Sequence, residues 1–132
     1  MTPPAWTAPY LGLPYVLGEG ECAQFAARVW RERFGRQVDA APAHGDMLRA
    51  QRMIRARLAG PDWQRVEVPE EGDAVVMRKG AVTCHVGIWV EPGLVLHCTK
   101  AEGTTLTPVE DLPSQGFHVV GWFRTVELRL AA

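Results

Sequence analysis

GDAVVMRKGAVTCHVGIWVEPGLVLHCTK, residues Gly72–Lys100, carries most of what the chain says about itself. Val82–Val90 and Leu94–Thr99 are rich in β-branched and apolar residues, and Glu91-Pro92-Gly93 separates them, so the two runs read as a β-hairpin. With the pairing centred on Glu91, Cys84 faces Cys98, Val86 faces Leu96 and Ile88 faces Leu94 across the strands. His85 then faces His97, and Gly87 faces Val95. Side chains alternate between the faces of a strand. The first three pairs therefore form an apolar face directed at a core. The two histidines, 12 positions apart, share the other face, where Gly87 leaves room for an approaching group.

Upstream, ECAQFAARVWRERF (Glu21–Phe34) places Cys22, Phe25, Ala26, Val29 and Trp30 at helical spacing. Arg31 and Arg33 in the last turn and Gly35 after it mark the end. A second helix is predicted from about Asp46 to Leu58. Asp46 caps it, Met47, Ala50, Ile54 and Leu58 form its buried stripe, and Gly60-Pro61 ends it. Downstream, Ala74–Met77 and Phe117–Leu128 complete the strand-like segments. Helices precede strands, an order that implies an α+β fold on an antiparallel sheet.

At 132 residues the chain is expected to form one domain, residues 1–132, of a size that buries a real core. A net charge of −1 gives no electrostatic case for nucleic acid or for an acidic membrane surface. No apolar run is long enough for a membrane-spanning helix. MTPPAWTAPYLGLPYVLGEG lacks the basic start and apolar stretch of a signal peptide, so synthesis in the cytoplasm is expected. Three cysteines, none in a C-x-x-C pair, argue against a disulfide framework and against a standard zinc site.

A thiolate is a far stronger nucleophile than a thiol. Cys22 opens a helix after Gly18-Glu19-Gly20-Glu21, and a helix N-terminus favours the thiolate. A nearby imidazole, His85, can hold the proton as an ion pair, and a group on its other nitrogen, His97, can orient it. Taken singly, Cys22 equally suits a small buried hydrophobe on an amphipathic helix, and each histidine suits packing or the surface. The facing positions of His85 and His97 on an otherwise apolar hairpin join them.

The segment Gly72–Thr99 resembles the core motif of the NlpC/P60 family of cell-wall cysteine peptidases. Gly72-Asp73 matches the GD that opens the strand pair, His85-Val86-Gly87-Ile88 the run with the catalytic histidine, and Leu96-His97 the third catalytic position. YVLGEGECAQFAARVWRERFG (Tyr15–Gly35) resembles the segment around the nucleophile, and Val119–Arg124 the last strand. The order Cys, His, His is the family's own and differs from that of the permuted acyltransferase relatives. The resemblance implies a papain-like fold with N-terminal helices on a central antiparallel sheet. It also implies hydrolysis of amide bonds in peptidoglycan stem peptides without a cofactor. Cys22 becomes the nucleophile, His85 the base and His97 the orienting residue. Tyr15 lies near the nucleophile, and the Cys22 N–H contributes to the oxyanion hole.

The chain departs from the family in three ways. Glu21 replaces the usual Asp before the nucleophile, and Ala23-Gln24 replace Ser-Gly after it. The stretch from Tyr15 to Cys22 is short. The gap before Gly72 is long, so the second helix is expected to line or cover the cleft. Chains of this minimal type, with a phrase such as YLGLPYVLG (Tyr10–Gly18), are similar to peptidase modules of phage tail tips and gene-transfer devices. That likeness implies tail-like partner proteins and delivery to the cell wall by the device.

Competing readings are a catalytically silent tail or assembly module, an antibacterial effector or CHAP-type amidase, and a zinc site of Cys84, His85, His97 and Cys98. Strand alternation opposes the zinc site, because adjacent Cys and His point to opposite faces. Glu70, Glu71 and Asp73 read as a solvated turn, and His44 and His118 as surface or packing residues. The tryptophans read as core, except that Trp89 shares the histidine face and is the candidate to line a groove.

Overall fold

The computed structural model describes residues 3–126. Two α-helices, α1 (Cys22–Phe34) and α2 (Met47–Ala59), precede six strands: β1 (Trp63–Val66), β2 (Ala74–Lys79), β3 (Val82–Val90), β4 (Leu94–Thr99), β5 (Gly103–Pro108) and β6 (His118–Thr125). Short 3₁₀ segments lie at Ala5–Tyr10 and Val109–Gln115. The strands form one antiparallel sheet in the order β1-β6-β2-β3-β4-β5. The α+β class expected from element order is the class observed. β1 and β5 were not foreseen, and the expected run of β6 to Leu128 ends outside the described residues.

α1 forms where its apolar spacing predicts. Phe25, Ala26, Val29 and Trp30 are buried against the sheet, and Gly35 closes the helix in the left-handed region at φ 64°. α1 lies over β3 and β4, and α2 over β3. Their inner faces and Val76, Val86, Ile88, Val90, Leu94 and Leu96 make the main core. Asp46 caps α2 by accepting from the Leu48 and Arg49 N–H groups at 3.0 and 3.1 Å. The expected α2 stripe is only partly realised. Ala50, Ile54 and Leu58 are half-buried and Met47 is exposed, because this helix borders a groove.

The opposite face of the sheet is also covered. Val75, Met77, Trp89 and Val95 pack under Leu112 and Phe117, which the β5–β6 connection supplies. β3 and β4 therefore read as nearly continuous apolar runs, as strands buried on both faces do.

Two details lock α1 to the sheet. The Trp30 indole N–H donates to the Gly72 carbonyl at 2.7 Å. Gly72 itself sits at φ 91°, where a Cβ would come 2.9 Å from the Phe34 ring, so a side chain is excluded on both counts. Next to it, Asp73 is buried rather than solvated. Arg124 grips its carboxylate with Nε at 2.9 Å and Nη2 at 2.7 Å, and the Glu70 N–H donates to it at 2.7 Å. The acidic turn expected here thus holds one buried, paired carboxylate.

Candidate active site

The β3–β4 register differs from the expected one by two residues: Ile88 pairs with Leu96, Trp89 with Val95 and Val90 with Leu94. The physical reason is the turn's centre: all three residues Glu91, Pro92 and Gly93 stay outside the ladder, so Val90 closes on Leu94 and the hairpin is centred on Pro92 rather than on Glu91. A shift of two keeps every side chain on its face. It brings His97 beside Gly87, where a Cβ would lie 3.0 Å from the His97 Cβ and 2.7 Å from Val95 Cγ1. It also removes Cys84 from the position opposite Cys98, and both thiols are free.

Beyond Ile88 and Leu96 the two strands continue against other partners, β3 against β2 and β4 against β5. The N-terminus of α1 comes into this gap. Cys22 Sγ lies 3.9 Å from the Cys84 carbonyl on β3, and Cys98 Sγ on β4 donates to the Gly20 carbonyl at 3.5 Å. A groove of about 550 Å³ opens here, lined by Tyr15, Cys22, His85, Gln115 and Phe117 on one side and by Met47, Ala50, Met53 and Ile54 of α2 on the other. The second helix thus forms a wall of the groove.

Glu21 fixes both sides of that groove. It is buried, and its carboxylate accepts from the N–H groups of Gly18 at 2.7 Å, His44 at 3.1 Å and Gly45 at 3.2 Å. Its own N–H donates to Gln24 Oε1 at 3.2 Å, the return bond of a capping box. The acidic residue before Cys22 therefore holds the preceding loop and the turn that starts α2. His44 adopts φ 55° in that turn, a left-handed conformation uncommon outside glycine.

His85 Nε2 and His97 Nδ1 share a hydrogen bond of 2.8 Å. His97 Nε2 lies 3.1 Å from Thr107 Oγ1 on β5. Phe117 stacks on His85, with ring centroids 4.2 Å apart and planes at 20°, and meets His97 edge-on. Both histidines are buried. Burial pushes His85 well below the ordinary imidazole range, helped by His97 and Lys79. Burial also takes His97 down to about 4, against an upward pull from a Gln115 hydrogen bond. Cys22 is pushed up to about 11, again by burial, which outweighs the Val86 and Ala23 N–H groups that favour its thiolate. Tyr15 goes up to about 12 through burial and the nearby Glu21 charge.

Burial thus works against the ion pair anticipated from the helix N-terminus, because it disfavours both a thiolate at Cys22 and an imidazolium at His85. Exclusion of water outweighs the helix end.

The fold thus brings Cys22, His85, His97 and Tyr15 to one place. Trp89 is elsewhere. It is buried in the second core cluster, edge-on to Trp122 with centroids 6.4 Å apart, because its half of β3 runs away from the groove under the β5–β6 connection. Thr107, Gln115 and Phe117 had no signal in the sequence, since only the β4–β5 register and the path of residues 109–117 bring them to the histidines. Among the described residues no group of three or more His, Cys, Asp or Glu side chains could hold a metal ion. Among them, too, no helix is long and apolar enough to cross a membrane.

No family model and no curated protein matches the chain. Among solved structures it is similar to the NlpC/p60 domain of the peptidoglycan hydrolase SagA, at a TM-score of 0.55 and 19% identity over 94% of each chain. At that identity the likeness is one of fold.

Proposed function

We propose that this chain is a cysteine peptidase that hydrolyses amide bonds in peptidoglycan stem peptides, with Cys22 as nucleophile, His85 as general base and His97 as its orienting partner. The observation that carries this reading is the 2.8 Å bond between His85 and His97 at the edge of a groove that Cys22 also lines. The fold shared with a peptidoglycan hydrolase domain supports the substrate class.

His85 Nε2 is engaged by His97, so Nδ1 is the nitrogen that serves the thiol. Because thiol and imidazole are both neutral at rest, proton transfer accompanies attack. Cys22 Sγ adds to the carbonyl carbon as its proton moves to His85 Nδ1. Negative charge gathers on the carbonyl oxygen. Cys22 is the first residue of α1, so its N–H has no partner one turn back and can donate there. Collapse returns the proton from His85 to the leaving amine and leaves an acyl thioester, which water, activated by the same imidazole, hydrolyses. Stacked Phe117 holds the His85 ring against rotation, with its Nε2 on His97 Nδ1, through these transfers.

The chain is further read as a wall-cutting module of a phage-tail-like device, made in the cytoplasm and carried to the wall by its partners. The Tyr10–Gly18 phrase supports this reading. The experiment for the activity is digestion of purified peptidoglycan, with muropeptides read by mass spectrometry, comparing wild type with Cys22→Ala. Cleavage by the wild type alone is expected. Cleavage by both, or by neither, rejects the assignment.

A further inference from the structure

The hydrogen bonds do not stop at His97. Thr107 Oγ1, buried and 3.1 Å from His97 Nε2, lies 3.3 Å from Thr105 Oγ1. It is also 3.5 Å from Gln115 Oε1 and 3.3 Å from Gln115 Nε2. Gln115 is half-buried and borders the groove. The β5–β6 connection delivers it two residues before Phe117, so one segment reaches both the far end of this chain of bonds and the face of the base.

Two neutral imidazoles joined Nε2 to Nδ1 have two proton arrangements with the same heavy-atom positions. In the first, His85 Nε2–H donates to His97 Nδ1 and His97 Nε2–H donates outward, leaving His85 Nδ1 bare toward the groove. In the second, every proton is turned round, and His85 Nδ1 carries a proton and cannot take one from Cys22. The groups beyond His97 decide between them. A hydroxyl accepts from His97 only if its own proton has somewhere to go. Gln115 Oε1 and Thr105 Oγ1 both offer that place.

Resting on the assignment of His85 as base, we propose that Thr107 and Gln115 are positioning residues that set the proton arrangement of the histidine pair. Thr107 accepts the His97 proton and donates its own to Gln115, so the relay points away from Cys22 and His85 Nδ1 is held ready.

The test compares Thr107→Val, which removes the hydroxyl at nearly the same shape, with Thr107→Ser, which keeps it. Two readouts are taken: the rate of Cys22 alkylation by iodoacetamide, an uncharged reagent, at neutral pH, and kcat and KM on peptidoglycan fragments. Thr107→Val is expected to slow alkylation and kcat about 10-fold with KM little changed, and Thr107→Ser to restore both. Gln115→Leu is expected to slow alkylation in the same way, and Gln115→Glu, which keeps an acceptor, to restore it. Equal rates for the Val and Ser variants, or for the Leu and Glu variants, overturn the proposal. Alkylation needs no substrate. If wild type leaves peptidoglycan intact while alkylation separates Val from Ser, the relay stands and the substrate assignment falls.

Discussion

Phe117 lies flat on His85, with centroids 4.2 Å apart. The ring excludes water from one face of the imidazole and contributes to the burial that holds it neutral. Phe117→Ala is expected to lower stability by about 3–5 kcal/mol, as loss of a buried aromatic does. In the folded variant the His85 titration should move up toward the ordinary imidazole value, because readmitted water favours the charged form. Denaturant melts and an NMR titration of the histidine ring protons check both effects. An unmoved titration would show that His97 and Lys79, rather than dehydration, hold His85 down.

Stability should fall as the solution is acidified through the histidine range. His97 titrates at about 4 when folded and near the ordinary 6.5 when unfolded. Above 6.5 neither state binds the proton and the contribution is constant. Between 6.5 and about 4 only the unfolded chain takes it up, so folding weakens, by about 3 kcal/mol across that window. Urea midpoints at pH 7 and pH 4.5 measure the loss. His97→Gln should flatten the slope. An equal slope in the variant assigns the proton uptake to other groups.

Cys22 should be alkylated ahead of Cys84 and Cys98, because it is partly exposed at the groove while the other two are buried. Its rate should keep rising above pH 8, since burial has pushed its thiol up to about 11. A thiolate–imidazolium pair would instead give a plateau beginning in the acid range. Iodoacetamide rates from pH 5 to 10, with peptide mapping, distinguish the two forms of the resting site.

Removing the cation beside Asp73 should be severe although it lies far from the thiol. Asp73 is buried while the Arg124 side chain is 34% exposed, so Arg124→Ala strands a carboxylate in the interior. A loss of about 3 kcal/mol is expected, and Asp73→Asn combined with Arg124→Ala should recover part of it. Thermal or urea unfolding of the single and double variants gives the coupling. Additive losses would mean that the pair contributes nothing beyond its separate side chains.

Residues that act through local periodicity were legible in the sequence. α1, the cap at Asp46, and strands β3 and β4 follow from spacing and turn residues, and so does the shared face of His85 and His97. Long-range pairing was not legible. β1 (WQRV) and β5 (GTTLTP) have little apolar pattern of their own and are held by ladders to β6 and β4. Asp73 has acidic neighbours in sequence, but its partner Arg124 is 51 positions away. Trp89 does share the face of the histidines, as alternation requires. Alternation fixes the face of a strand, however, and not which end of it meets the groove. Burial opposes the ion pair expected at Cys22 for a related reason: a sequence places a thiol at a helix start but not the depth at which that start is buried.

The Glu21 carboxylate has a consequence for how this architecture tolerates change. It ties the turn that starts α2 to the residue just ahead of Cys22, so one carboxylate couples the position of that thiol to the groove wall. The connection adds ties of its own: Val38 is buried in the main core, and the Arg31 and Arg57 guanidiniums donate to the Val38 and Asp39 carbonyls. Groove width should therefore answer to a side chain that need never touch what the groove holds, and change at once when that single acid is neutralised.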